Sequence, residues 1–229
     1  MNDVRVKICG INDAEGIDGS VQAGADLVGF VFFPPSARAV VPAQAAVLAH
    51  RLPAAITPVG LFVDATDALI EQVLGAVPLR LLQLHGQESP GRCAEIRERF
   101  GVPVMKAIGI ATEADFALLA DYATAVDRFL LDAKPPPGAS IPGGNAMRFD
   151  WSLLAGRDIP LPWMLAGGLT PVNVAAAIRE SGTRGVDVSS GVERMKGVKD
   201  MVLMRAFVNA AKARVSQGAL PPGPPPGGS

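Results

Sequence analysis

The strongest constraint in this chain is a repeated grammar: a short β-branched apolar run, a polar or glycine-bearing loop, then a helical stretch. The runs occupy residues 4–9, 27–33, 59–63, 81–84, 102–108, 129–132, 163–166 and 186–189. Each has the length of a strand buried on both faces, which reads as near-continuous apolarity rather than alternation. Strands alternating with helices imply parallel pairing through right-handed crossovers. Eight such units in 229 residues fit one closed (βα)8 barrel, a TIM barrel, of roughly 250 residues. An open doubly wound sheet is the competitor, but no GxGxxG follows the first run.

Helix boundaries are written locally. Ser89-Pro90 and Thr170-Pro171 place a capping side chain before a proline at the first helical position. Thr112 with Asp115 reads as a capping box, and Asn12 with Glu15 as a looser one. Cys93, Ile96 and Phe100 form an i, i+3, i+7 stripe that packs on a sheet. Gly24, Gly101 and Gly182 follow helical stretches, where a left-handed residue ends a helix. Residues 1–215 are thus expected to form the barrel. Residues 216–229, rich in Pro and Gly, read as a disordered tail.

A net charge of −1 excludes the basic surplus of a nucleic-acid binder but not a local anion pocket. No charged-then-apolar leader opens the sequence, and no apolar stretch approaches the ~20 residues of a membrane span. Two distant cysteines, Cys9 and Cys93, argue against a disulfide framework and for reduced thiols in the cytoplasm. With two histidines at unhelpful spacing, no metal site is expected.

Barrel active sites lie at the C-terminal strand ends. The polar residues there are Cys9, Asp64, His85, Lys106, Asp132, Gly167-Gly168 and Ser189-Ser190-Gly191. Two of these ends read as a phosphate site. Gly167 and Gly168 precede a helix, and Ser190 and Gly191 close the last run; glycine lets an anion approach backbone N–H groups. The seventh and eighth loops are where barrels often hold phosphate.

Strand periodicity puts Arg5, Lys7 and Cys9 on one face and Val4, Val6 and Ile8 on the other. The apolar set should face the helices, leaving Lys7 and Cys9 inside the barrel. A nearby ammonium would favour the Cys9 thiolate and make it a base; the alternative is a small buried hydrophobe. Asp132 and Asp187 lie in apolar runs, where an unpaired carboxylate is costly. Each is open to an ion pair with Lys7 or Lys106. Asp132 could instead be a proton donor at a strand end, and Asp187 a partner for hydroxyls or for Lys7. His85 either lines the site or bonds a loop carbonyl. His50 reads as surface and Cys93 as core.

Together the strand-end motifs resemble the phosphoribosylanthranilate isomerase family. The matching segments are VKICGI (6–11), GADLVGFVFFPPSAR (24–38), VGLFVD (59–64), LQLHGQE (82–88), KAIG (106–109), LLDA (130–133), FDW (149–151), LAGGLTPVNV (165–174) and GVDVSSGVE (185–193). The resemblance implies a cofactor-independent Amadori rearrangement of a phosphorylated small molecule, with Cys9 as general base and Asp132 as general acid. It assigns Arg38 to the anthranilate carboxylate. One segment departs from the pattern: Gly143 and Gly144, the latter a further phosphate candidate, are kept, but Ala146 and Met147 stand where relatives often carry Gly and Lys. Arg148 is the candidate substitute, and the Pro/Gly-rich stretch 133–151 reads as a lid. The rivals are another phosphosugar enzyme on a barrel and a non-catalytic barrel that senses a phosphorylated metabolite. Protein partners are unknown from the sequence.

Overall fold

Strands that are apolar on both faces need cover on each side, and a closed ring inside a sleeve of helices provides it. The structure, a computed structural model, describes residues 4–134 and 150–213. The lid segment around Gly144 and the tail lie outside the described residues. In chain order the elements are β1 Arg5–Cys9, α1 Ala14–Ala23, β2 Leu27–Val31, α2 Pro42–Ala49, β3 Thr57–Phe62, α3 Asp67–Ala76, β4 Leu81–Leu84 and α4 Pro90–Phe100. There follow β5 Val104–Ile110, α5 Leu118–Tyr122, β6 Arg128–Ala133, β7 Trp163–Leu165, α6 Val174–Ser181, β8 Gly185–Val188, a small hairpin of β9 Glu193–Met195 and β10 Val198–Lys199, and α7 Met201–Lys212.

β1 to β8 pair in order, all parallel, and β8 returns to β1 with Lys7 opposite Asp187. The expected closed barrel is therefore observed. Its strand parity divides two cores. Val6, Ile8, Val28, Phe30 and Phe62 point outward beneath the helices. Leu27, Val59, Leu81, Met105, Leu130 and Met164 fill the lower lumen as an apolar plug. α7 closes the sleeve: Asp200 caps it by accepting from the Val202 and Leu203 amides at 2.8 and 3.0 Å. It buries Met204, Phe207, Val208 and Ala211. Gly19 of α1 has no side chain because the Met204 methyl occupies that space.

The cap signals mostly read true. Ser89 accepts from the Arg92 amide ahead of Pro90, and the Thr112–Asp115 box forms. Gly24, Gly101 and Gly182 end helices with φ of +80°, +63° and +70°. Two starts differ. Asp13, not Asn12, caps α1 through the Gly16 amide, while the Asn12 amide donates to the Gly197 carbonyl. α6 begins at Val174, after Asn173 rather than at Pro171, because Asn173 accepts from Thr170 and donates to the Gly168 carbonyl, tying up the intervening turn. β2 stops at Val31, short of the expected Phe33, as Pro34 and Pro35 force a turn closed from Ser36 to Phe33.

Lys106 does not enter the lumen. It faces outward from β5, where Nζ meets Glu88 Oε2 at 2.8 Å and donates to the Gly86 carbonyl at 2.8 Å. Glu88 in turn accepts from the Asp64 and Gly86 amides. This buried pair clamps the tops of β3, β4 and β5 and partners neither Asp132 nor Asp187. Lys106→Met would strand a buried carboxylate, a loss of about 3–5 kcal/mol. Urea denaturation should show a large fall in midpoint at unchanged slope; a midpoint equal to wild type would contradict this role.

Candidate active site

The inward face of β1 sets the site. Lys7 is fully buried in the lumen, and Nζ donates to Asp187 Oδ1 at 2.9 Å. Burial, the largest single influence, would lower the lysine, but the Asp187 carboxylate and Cys9 together outweigh it and hold the ammonium above its ordinary range. Cys9 is the next inward residue, packed with Val31 and Leu61 nearer the barrel mouth. Burial pushes its thiol up, and the neighbouring Lys7 ammonium opposes that rise without cancelling it. The expected lysine effect is present but is not the larger one. Gly29, opposite Cys9 in the register, is required here: any side chain on it would overlap the Cys9 sulfur, 2.8 Å from the position of a Cβ.

On the far side of the mouth, Asp132 ends the inward row of β6. Its Oδ1 accepts from the Ala133 amide at 2.8 Å, and Oδ2 lies 3.5 Å from His85 Nε2. His85 Nδ1 is 2.8 Å from Gln83 Nε2. With the amide donating to Nδ1, the imidazole proton sits on Nε2 and faces the carboxylate. His85 thus lines the site rather than bonding a loop carbonyl. Sequence reasoning passed over Gln83, yet a signal existed: it is the lone polar residue of LLQL and shares the inward parity of His85.

Arg38 arrives from the loop after β2 and runs over Gly10, where a Cβ would lie 2.5 Å from the Arg38 Cδ. Its Nε and Nη2 donate to Glu193 Oε1 and Oε2 at 2.7 and 2.9 Å. Lys199 Nζ joins the same carboxylate at 2.8 Å and also donates to the Ser189 carbonyl. Burial would raise Glu193, but Arg38 and Lys199 hold it down at about 2, so it stays ionised. One edge of the guanidinium is therefore committed to Glu193, and Nη1 makes no hydrogen bond to another described residue. Glu193 and Lys199 were not expected; Glu193 was at least visible at the end of VSSGVE.

The seventh and eighth loops meet beside Asp132. Gly167 and Gly168 take φ of +88° and +61°, and a Cβ on Gly167 would press on the Ala133 amide and on Asp132 Oδ1. Gly191 sits directly on the Leu169 carbonyl, which joins the two loops. The N–H groups of Gly167, Gly168, Ser190 and Gly191 donate to no other described residue. Together they form a donor cradle of the kind that takes an anion. Cys9, Asp132, His85, Arg38 and these loops thus share one end of the barrel, with Lys7 and Asp187 beneath them. Gly144 lies outside the described residues. His50 is exposed and Cys93 is buried in the core, its thiol pushed up to about 11 by burial.

A family model described as N-(5'-phosphoribosyl)anthranilate (PRA) isomerase matches residues 6–210. The chain belongs to this family. The N-(5'-phosphoribosyl)anthranilate isomerase of Paramagnetospirillum magneticum is 55% identical over 209 residues, covering 91% of this chain and 97% of that relative. The one from Paracoccus denitrificans is 54% identical, covering 93% and 99%. Among solved structures, phosphoribosyl anthranilate isomerase from Thermotoga maritima superposes with a TM-score of 0.82 at 40% identity, covering 91% of this chain and 98% of that one. Another isomerase structure, with a TM-score of 0.80 at 38% identity and coverage of 91% and 98%, is a complex with reduced 1-(o-carboxyphenylamino)-1-deoxyribulose 5-phosphate.

For this PRA isomerase family member, the Cys9 environment has a measurable consequence. Iodoacetamide alkylation, followed by peptide mapping across pH, tracks the thiolate. The Cys9 midpoint should lie above the ordinary thiol value of about 8.5, and Lys7→Met should move it higher by removing the opposing ammonium. A midpoint at or below the ordinary value, or one indifferent to Lys7→Met, would contradict this electrostatic reading.

Proposed function

We propose that this chain is a cofactor-independent isomerase of tryptophan biosynthesis. It converts N-(5-phosphoribosyl)anthranilate to 1-(2-carboxyphenylamino)-1-deoxyribulose 5-phosphate. The observation that carries the reading is the grouping at one barrel end of a lumen-facing thiol, a carboxyl across from it, a guanidinium and an N–H cradle. The cradle of Gly167, Gly168, Ser190 and Gly191 takes the phosphate, with Gly144 a further candidate. Nη1 of Arg38 meets the anthranilate carboxylate. Asp187 and Lys7 lie beneath the ribose, where their unspent capacity suits hydroxyls.

Asp132, as the acid, protonates the ribose ring oxygen, and the C1–O bond breaks as the nitrogen lone pair forms the C1=N Schiff base. The Cys9 thiolate then removes the proton from C2. Those electrons form C1=C2 while the C1=N π pair returns to nitrogen, giving an enolamine. Ketonisation releases the C2 hydroxyl proton to solvent while the Cys9 thiol returns a proton to C1, which leaves the thiolate restored. The imine nitrogen belongs to the substrate, so the sequence of steps closes without a catalytic lysine, metal or organic cofactor. Burial makes Cys9 a stronger base once ionised while reducing how often it is ionised, and Lys7 limits that second cost. His85, with its Nε2 proton facing Asp132, steadies the carboxylate after proton transfer. Two buried, distant free thiols support a reducing compartment, the cytoplasm.

The test is turnover of freshly prepared phosphoribosylanthranilate, followed by loss of its fluorescence. Wild type should turn over, and Cys9→Ala and Asp132→Asn should each lose about 10²–10⁴-fold in kcat. Arg38→Met should chiefly raise KM. A folded wild type without turnover, or near-normal rates in both Cys9→Ala and Asp132→Asn, would overturn the proposal.

A further inference from the structure

The opposite end of the barrel holds a second cavity, of about 570 Å³. That is within the range of small-molecule sites. It cannot be reached from the catalytic end through the lumen, because the plug that contains Leu27, Met105, Leu130 and Met164 stands between them. Leu27 and Met164 form its apolar floor, and Pro160, Pro162 and Trp163 contribute to its wall. The two prolines fix their own φ angles, so this part of the wall is set before any ligand arrives.

The charge of the cavity is one-sided. Arg5, Arg128 and Arg184 line it, and no Asp or Glu does. Most arginines among the described residues are engaged: Arg38, Arg51, Arg92, Arg97, Arg99, Arg157 and Arg194 have carboxylates. Arg80 donates to two backbone carbonyls. Only five of them, Arg5, Arg128, Arg179, Arg184 and Arg205, have neither an ion pair nor a side-chain hydrogen bond, and three of the five line this cavity. The fold brings them together. Arg5 and Arg128 open β1 and β6 with the inward parity of Lys7 and Leu130, and the Arg5 amide donates to the Arg184 carbonyl at 2.9 Å. Three like charges beside an apolar floor repel one another and gain most from a shared counter-charge.

We propose that this end of the barrel is a second binding site, for a small organic polyanion with a planar apolar body, such as an aryl phosphate or aryl polycarboxylate. The guanidinium forks take the anionic groups in paired hydrogen bonds, while the body lies over the Leu27–Met164 floor against Trp163. A second copy of the chain is the competing occupant, and the test separates the two.

Naphthalene-1,5-disulfonate, a planar dianion, is the probe. Isothermal titration calorimetry on the full wild-type chain is compared with the combined Arg5→Gln, Arg128→Gln, Arg184→Gln variant, and sedimentation velocity is run on both. The expected result is binding to a monomeric wild type that weakens at least tenfold in the variant, with phosphoribosylanthranilate turnover unchanged. Undetectable binding to wild type, or equal binding by the variant, overturns the proposal. So does a wild-type dimer that the variant converts to monomer, since the arginines would then serve a second copy. If the combined variant fails to fold, Arg184→Gln alone, at an exposed position, should still weaken binding at least threefold; unaltered binding there overturns the proposal as well.

Discussion

The ion pair between Lys7 and Asp187 lies where the ring of strands closes, and the catalytic end is built over it. The two residues face each other across the β1–β8 seam, both deep in the lumen. Their charges are matched where either alone would be ruinous, since stranding one costs about 3–5 kcal/mol. The pair thus serves two ends: it fixes the register of the closing strands, and it places a permanent ammonium beneath Cys9. The thiol's basicity is then a balance between burial and that ammonium. A wholly apolar lumen would leave Cys9 inert, and an open one would leave it a weak base.

Around that balance the polar side chains His85, Asp132 and Arg38 at the mouth each have a protein partner. Gln83 holds His85, and His85 faces Asp132. Glu193 holds Arg38, and Lys199, across the hairpin of β9 and β10, anchors Glu193 in turn. Fixing these groups in advance lowers the reorganisation required as charge develops during reaction. The same hairpin ties to β1: Lys199 meets Ser189, and the Ser189 hydroxyl donates to the Cys9 carbonyl. The Asp132 side and the Cys9 side of the mouth are therefore braced by different parts of the chain.

Much of this could be read from the sequence because it depends on local periodicity. Two-residue alternation in RVKIC put Lys7 and Cys9 inside, and eight apolar runs fixed the strand count. Capping chemistry at Ser89 and Thr112 is a property of four or five consecutive residues. What escaped depends on contacts distant in sequence. Nothing near Lys106 says that Glu88, 18 residues earlier, will claim it on the outer face. Arg38 and Glu193 are 155 residues apart and meet only because the barrel brings the second and eighth loops together. Asn173 displaced the start of α6 because a side chain can satisfy backbone groups of the preceding turn as well as a helix can. The two-sided use of β5, apolar inward at Met105 and charged outward at Lys106, likewise defeats the rule that a strand-end lysine belongs to the site.

The central claim is that the C2 proton leaves to a group of the protein and a proton returns at C1, in place of a direct transfer within the substrate. Turnover of phosphoribosylanthranilate in D2O, with the product read by proton NMR at C1, tests this most directly. Exchange of the Cys9 sulfur proton with solvent should leave deuterium at C1 of the product. A product whose C1 carries only protium, even when turnover is slowed well below the rate of thiol exchange with solvent, would contradict the acid–base account.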